Sequence, residues 1–320
     1  MSWFYIFQWS AILIASLYVL IRGSDLFVEG AKRLGRYFGL SSFVIGVLIV
    51  GLGTSLPELA SSLAAVWEGS TEIVLANAVG SNIANILLII GTLALLGGPI
   101  MVSGNLLKTE LPIFFIATVH FVFSVYDGVV DRIESVLLFF TLCTYIWYLL
   151  SFDKDEKDKG ETEERNDISG KREFIKDIVF VLMGITAVLI GANYTVKMAV
   201  NIATGLNVPI GLVSIAAIAI GTSLPELFVS LQAIKTGETE LAVGNVFGSN
   251  AFNILLVVGI PGMFKPLLVD DVVSSLGLPI LIAASLILFI IGLAQQIQRW
   301  EGVAMLIFFL FFLVKLVSFV

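Results

Sequence analysis

The chain has 320 residues, 58% hydrophobic and 13% charged, with a formal net charge of −7 and a mean hydropathy of +1.00. Soluble domains carry about a quarter charged residues, so these values exclude one, and apolar runs along nearly the whole length exclude a single anchor on a globule. No basic surface suggests nucleic acid, the lone Cys143 excludes an internal disulfide or a thiolate metal cluster, and the alternating strands of an outer-membrane barrel are absent.

A spanning helix needs roughly 20 apolar residues, and on that measure the sequence reads as an all-α polytopic membrane protein with ten transmembrane helices. Met1 to Gln8 lacks the positive charge that opens a signal peptide, so the first apolar run is expected to be a retained helix. That helix is long, about Phe4–Tyr37, with an apolar front and a polar tail holding Asp25, Glu29, Lys32, Arg33 and Arg36. The next four are expected at Ser42–Trp67, Glu72–Leu96, Asn105–Tyr126 and Arg132–Ser151. A stretch dense in Lys, Asp and Glu follows, and then helices at about Glu173–Leu206, Pro209–Lys235, Glu240–Met263, Ser274–Gln295 and Trp300–Phe319.

The second five segments repeat the first five. Gly53-Thr-Ser-Leu-Pro-Glu58-Leu59 recurs unchanged as Gly221-Thr-Ser-Leu-Pro-Glu226-Leu227, 168 positions later. At the same offset Gly23 meets Gly191, Asn77 meets Asn245, Gly80-Ser81-Asn82 meets Gly248-Ser249-Asn250, and Asn85-Ile-Leu-Leu88 meets Asn253-Ile-Leu-Leu256. The organisation is therefore an N-terminal five-helix repeat (1–151), a charged linker (152–172) and a C-terminal five-helix repeat (173–320). Five is odd, so the second repeat must enter the membrane from the opposite side and lie inverted, a recurring plan of secondary transporters with the site at the repeat interface. Lys32, Arg33, Arg36, Lys108, the linker's lysines and arginines, Lys235 and Arg299 fall on one side. Positive residues favour the cytoplasm, which puts the linker inside a cell membrane and both termini outside. The linker reads as a solvated connector, too short to hold a folded domain.

Of 25 Asp and Glu residues, only Glu58 and Glu226 sit well inside apolar helices, with no basic residue at comparable depth. A carboxylate placed there is a functional-site hypothesis by default, because charge in the bilayer is expensive. Pro57 lacks an N–H and its ring clashes with the carbonyl of Gly53; Pro225 does the same to Gly221. Helices two and seven are therefore expected to break before the glutamate and free backbone carbonyls where they line a cavity. On helices three and eight, Asn77, Ser81 and Asn85, and again Asn245, Ser249 and Asn253, are spaced by four and share one face. Such a ladder could glue helices together, but beside a broken helix it reads as half of a binding site. Carboxylate, amide, hydroxyl and carbonyl oxygens suit Na⁺, Ca²⁺ or K⁺, whereas Zn²⁺ and Cu prefer imidazole or thiolate. His120 and Cys143 lie outside the duplicated motifs and read as packing residues. Two glutamates balance one Ca²⁺ or two Na⁺, and competition for them is all an antiporter needs thermodynamically.

At these residues the sequence resembles the Ca²⁺/cation antiporter superfamily, in particular its sodium/calcium exchanger branch. The residues that carry it are GTSLPE (53–58) with NAVGSNIAN (77–85), and GTSLPE (221–226) with GNVFGSNAFN (244–253). A Gly-Ser-Asp-x-Phe-Val-x-Gly opening stands at Gly23–Gly30. The resemblance covers the whole chain. It implies ion ligands at Glu58, Glu226, Asn85, Asn253, Thr54, Ser55, Thr222, Ser223, Ser81 and Ser249, with backbone carbonyls near Gly51 and Ala219. It also implies interrupted helices two, three, seven and eight, and long helices one and six sliding across a fixed eight-helix core. Some relatives have aspartate where Asn85 and Asn253 stand, so two carboxylates remain, which argues against K⁺ co-transport.

The leading expectation is an antiporter, not an enzyme, exchanging Na⁺ for Ca²⁺ by alternating access. Both ions are transported substrates, no organic cofactor is expected, and a monomer is expected to suffice. Ca²⁺/H⁺ exchange is the alternative, since buried glutamates also carry protons. The proton-coupled branch, however, has a Gly-Asn-Ala-x-Glu pattern that Asn77-Ala78-Val79 does not continue. A channel would use the same oxygens but suits inverted halves less well. An intramembrane protease would need a reactive pair that is not evident.

Overall fold

Long apolar runs with few charges leave the backbone one way to satisfy itself in lipid, which is to close every hydrogen bond within a helix. The computed structural model describes residues 3–101, 104–158, 171–206, 221–294 and 296–319, and within these the chain is almost wholly helical. The helices are α1 (Trp3–Tyr37), α2 (Ser42–Glu68), α3 (Glu72–Gly97), α4 (Gly104–Ser124) and α5 (Arg132–Asp158) in the first half. In the second half they are α6 (Lys171–Gly205), α7 (Leu224–Lys235), α8 (Thr239–Phe264), α9 (Val273–Leu293) and α10 (Arg299–Phe319). Eight of these helices are long and apolar enough to cross a membrane. The exceptions are α4, whose shorter apolar stretch is Leu111–Ser124, and α7, because residues 207–220 before it lie outside the described residues. Large side chains such as Trp147, Phe123, Phe140 and Ile307 are exposed on the outer surface, as a lipid-facing wall requires. The chain is a multi-pass membrane protein.

Three details differ from the sequence expectations. Helix α2 is not broken at Pro57, which lies inside the α-helical run Leu52–Glu68. The distortion is instead a π-helical turn upstream, Gly46–Gly51, where widening the helix re-seats the backbone without unwinding it. Helix α3 is likewise continuous, with a π turn at Ala84–Ile90, whereas α8 is interrupted by turns at 256–258 and residues 222–223 form a turn ahead of α7. Helix α5 runs on to Asp158 and α6 begins at Lys171, so helix continues into both ends of the charged linker.

Short turns fix where helices end. After α1, Gly39 takes φ +66°, which a side chain resists, and the Ser41 hydroxyl then accepts from the Val44 N–H to start α2. Gly69, at φ +89°, closes α2 in the same way.

Packing registers give the relative directions. Along α1 and α6, Ser16 meets Thr195 (Oγ to Oγ1, 3.0 Å), Leu20 meets Gly191, Gly23 meets Ala187, Phe27 meets Gly184 and Gly30 meets Val181. Numbers rise on one helix as they fall on the other, so these long helices are antiparallel. Helices α2 and α8 are parallel and almost touch: Gly46 lies against the Leu241 carbonyl and Gly244, and Gly51 against Gly248 and Ser249. A side chain at Gly46, Gly244 or Gly248 would strike the facing backbone.

Two small antiparallel ribbons join the halves. Strand β1 (Ile100–Met101) pairs with β4 (Gln296–Ile297), and β2 (Val129–Val130) pairs with β3 (Leu267–Leu268). Shifting each residue by the repeat offset turns the pair Ile100–Ile297 into Leu268–Val129, which is the other ribbon's register. Exchanging the halves therefore carries one ribbon onto the other.

Candidate functional site: a cage of oxygens between the two repeats

The duplicated motifs meet in the interior. Thr54, Ser55, Glu58, Ser81, Asn85, Ser223, Glu226, Ser249 and Asn253 are all buried to within a few per cent of complete. Contacts from α2 reach α8, and those from α3 reach the α7 motif. The Thr54 hydroxyl lies 3.3 Å from both the Ser249 hydroxyl and Asn245 Oδ1, and the Ser81 hydroxyl lies 3.2 Å from that of Thr222. Thr54–Ser249 and Thr222–Ser81 are one contact made twice, because the repeat offset converts each into the other.

What these groups lack is as informative as what they touch. Thirteen buried side-chain nitrogen and oxygen atoms among the described residues have no hydrogen-bond partner. Twelve of them belong to four repeat-related pairs: Ser55 and Ser223, Glu58 and Glu226, Asn82 and Asn250, Asn85 and Asn253. A buried polar group without a partner costs about 1–3 kcal/mol, and more when charged. An unfavourable set that recurs in repeat-related pairs marks a candidate site. Scattered packing defects would not follow the repeat. Among the described residues no three His, Cys, Asp or Glu side chains come together, so the cage combines two carboxylates with neutral oxygens.

The other expected members fall into place unevenly. The Gly51 carbonyl closes the π turn of α2 and accepts the Thr54 hydroxyl at 3.3 Å. Ala219 lies outside the described residues. Asn77 and Asn245, which the spacing places on the same face as the ligand candidates, spend their amide nitrogens within their own halves. Asn245 donates to the Ser230 hydroxyl at 2.8 Å and the Glu226 carbonyl at 3.3 Å, while Asn77 donates to Ser61 and Ser62 at 3.4 and 3.5 Å. They tie α3 to α2 and α8 to α7, so the ladder's first rung is glue. Ser62 and Ser230 went unremarked in the sequence, although their 168-residue separation could have flagged them. His120 pairs with Thr141 at 3.0 Å between α4 and α5, whereas Cys143 is exposed on the outer face of α5 and packs against no interior.

A family model described as "Sodium/calcium exchanger protein" matches the chain twice, over residues 9–151 and 176–317. The chain belongs to the sodium/calcium exchanger family. It is 36% identical to the sodium/calcium exchanger MaX1 of Methanosarcina acetivorans, over 95% of this chain and 97% of that protein. It is 31% identical to the inner membrane protein YrbG of Escherichia coli, over 93% of each. Among solved structures, the sodium-calcium exchanger NCX_Mj soaked with zero Na⁺ and Ca²⁺ superposes with a TM-score of 0.82 at 30% identity. That match covers 97% of this chain and 99% of the other. The family's double match coincides with the two repeats, so duplication and family membership rest on the same residues.

Proposed function

We propose that this protein exchanges Na⁺ for Ca²⁺ by alternating access at a single site built on Glu58 and Glu226. The observation that carries the reading is the repeat-related set of buried, unpartnered oxygens around two carboxylates. Hard cations without strong geometric demands, Ca²⁺ and Na⁺, fit carboxylate, hydroxyl and amide oxygens. Glu58, Glu226, Ser55, Ser223, Asn85 and Asn253 are the innermost ligands; Thr54, Thr222, Ser81 and Ser249, already paired with one another, orient them and complete the shell. The carbonyls of Gly51 and Ala219 are assigned by family resemblance.

Inversion of the halves is supported by the antiparallel register of α1 and α6 and by the ribbons that interchange at the repeat offset. A rotation that swaps antiparallel equivalents has its axis across the helices, which is the membrane plane. The α1–α6 pair is the moving part in this reading. Phe27 of α1 rests on Gly53, where an added methyl group would lie 2.8 Å from the ring, so the pair crosses directly over the motif. The linker faces the cytoplasm of a cell membrane with both termini outside, and one protomer suffices.

The test is Ca²⁺ flux into proteoliposomes under imposed Na⁺ gradients. Reversal of the gradient should reverse the flux; uptake indifferent to Na⁺ sinks the proposal. Flux driven by a pH gradient without Na⁺ would replace Na⁺ by H⁺ as the counter-ion.

A further inference from the structure

Asn82 and Asn250 are fully buried, follow Ser81 and Ser249 directly, and belong to the unpartnered set through their Oδ1 atoms. The repeat makes them equivalents, yet they are used differently. Asn82 reaches across the interface and donates from Nδ2 to the backbone carbonyl of Asn250 at 3.1 Å. Asn250 turns back on its own helix and donates to the Val246 carbonyl at 2.8 Å. Both lie on helices whose neighbouring positions Ile83, Ile86, Ala251 and Ile254 are buried and apolar as well. A leucine would fill such a space without leaving an amide oxygen unpaired, so packing does not explain an asparagine here.

We infer that Asn82 is a positioning residue: its bond to the Asn250 carbonyl holds α3 and α8 at a fixed separation, and thereby sets the size of the ion cage. The bond joins the two helices that carry Ser81 and Asn85 on one side and Ser249 and Asn253 on the other. Selectivity among divalent cations of one charge is a matter of cavity size, ligand number and rigidity. A clasp at this level therefore acts on which ion fits, while the charge that attracts the ion comes from the glutamates. The inference rests on the exchange reading above, because it needs a cation between those helices.

The experiment measures thermal unfolding of the purified full chain in detergent with Ca²⁺, Sr²⁺ or Ba²⁺ added, and no Na⁺. It compares the wild type with Asn82→Ala, Asn82→Ser and Asn250→Ala. The serine hydroxyl is too short to cross the interface but can bond its own helix, so that variant keeps the fold polar and loses only the clasp. For both Asn82 variants the preference for Ca²⁺ over the larger ions should fall roughly three- to tenfold, the scale of one net hydrogen bond. Asn250→Ala keeps the backbone acceptor and should retain the wild-type preference within about twofold. An unchanged preference in Asn82→Ser, or an equal loss in Asn250→Ala, overturns the clasp while leaving the exchange reading intact. If the wild type gains no stability from any of the three ions, both readings fall.

Discussion

Residues 53–59 and 221–227 have the same seven side chains, yet their backbones differ. In the first copy Pro57 lies within an unbroken helix, and the irregular backbone is a π turn ending at Gly51. In the second copy Thr222 and Ser223 form a turn, and Pro225 falls in the first turn of a fresh helix. Proline in a first turn costs little, since that N–H has no partner anyway; proline in a helix interior costs about 3 kcal/mol. The neighbours of the first copy explain its path. Upstream of Pro57, Gly46 and Gly51 are pressed against the backbone of α8, which holds that stretch helical. Identical motifs thus give equivalent side chains but not equivalent supports. Two halves of one site can remain chemically matched while one of them is more tightly held.

The largest effect should come from treating the halves as equals. Glu58→Gln and Glu226→Gln each leave shape intact and remove one of two charges that balance a divalent ion. Each alone should lower Ca²⁺ exchange at least about a hundredfold in the flux assay, the scale of removing a buried charged partner. If either variant kept near-normal exchange, the carboxylates would belong to two sites and the single cage would be wrong.

The prolines should separate the halves. Pro57→Ala restores an N–H inside a continuous helix and should stabilise the protein by roughly 1–3 kcal/mol. Pro225→Ala, in a first turn, should change stability by less than about 0.5 kcal/mol. Unfolding temperatures in detergent decide it. Equal shifts would mean that the two backbones are the same in solution.

How much of this was legible in the sequence follows from what each feature depends on. Duplication, helical class and the buried carboxylates depend on residue identity alone, so Glu58, Glu226 and their serine and asparagine companions could be named from spacing. The path around Pro57 depends on Gly46 and Gly51 meeting α8, a contact between segments about 195 residues apart that no local rule contains. The split roles of Asn77 and Asn85, eight residues apart on one helix, were hidden for a related reason. The face they share is wide enough for one to meet Ser62 and the other to meet the cage. Asn82 was visible only as part of a repeated triplet, and its bond across the interface appears only when the halves are brought together.

The smallest predicted effect concerns a place where the halves differ in chemistry. Lys32, near the end of α1, forms an ion pair with Glu238 at 2.6 Å, and both side chains are more than four-fifths buried. The other Glu238 oxygen accepts from the Ser42 hydroxyl at 3.2 Å, so one carboxylate joins α1 to the starts of α2 and α8. The repeat puts Val200 opposite Lys32 and Ser70 opposite Glu238, so the other end of the molecule has no corresponding pair. In a transporter whose two access states are related by exchanging halves, a contact at one end only must favour the state closed at that end. An ion pair this sheltered is worth about 1 kcal/mol net, a factor of roughly five in population. Glu238→Gln should therefore shift the ratio of apparent Ca²⁺ affinities on the two faces by two- to fivefold, measured in vesicles of fixed orientation. The charge exchange Lys32→Glu with Glu238→Lys should bring the ratio back toward the wild type. A ratio that stays put in Glu238→Gln would mean that the α1–α6 pair moves without breaking this contact, and the bias would have to come from the unequal supports of the two glutamates.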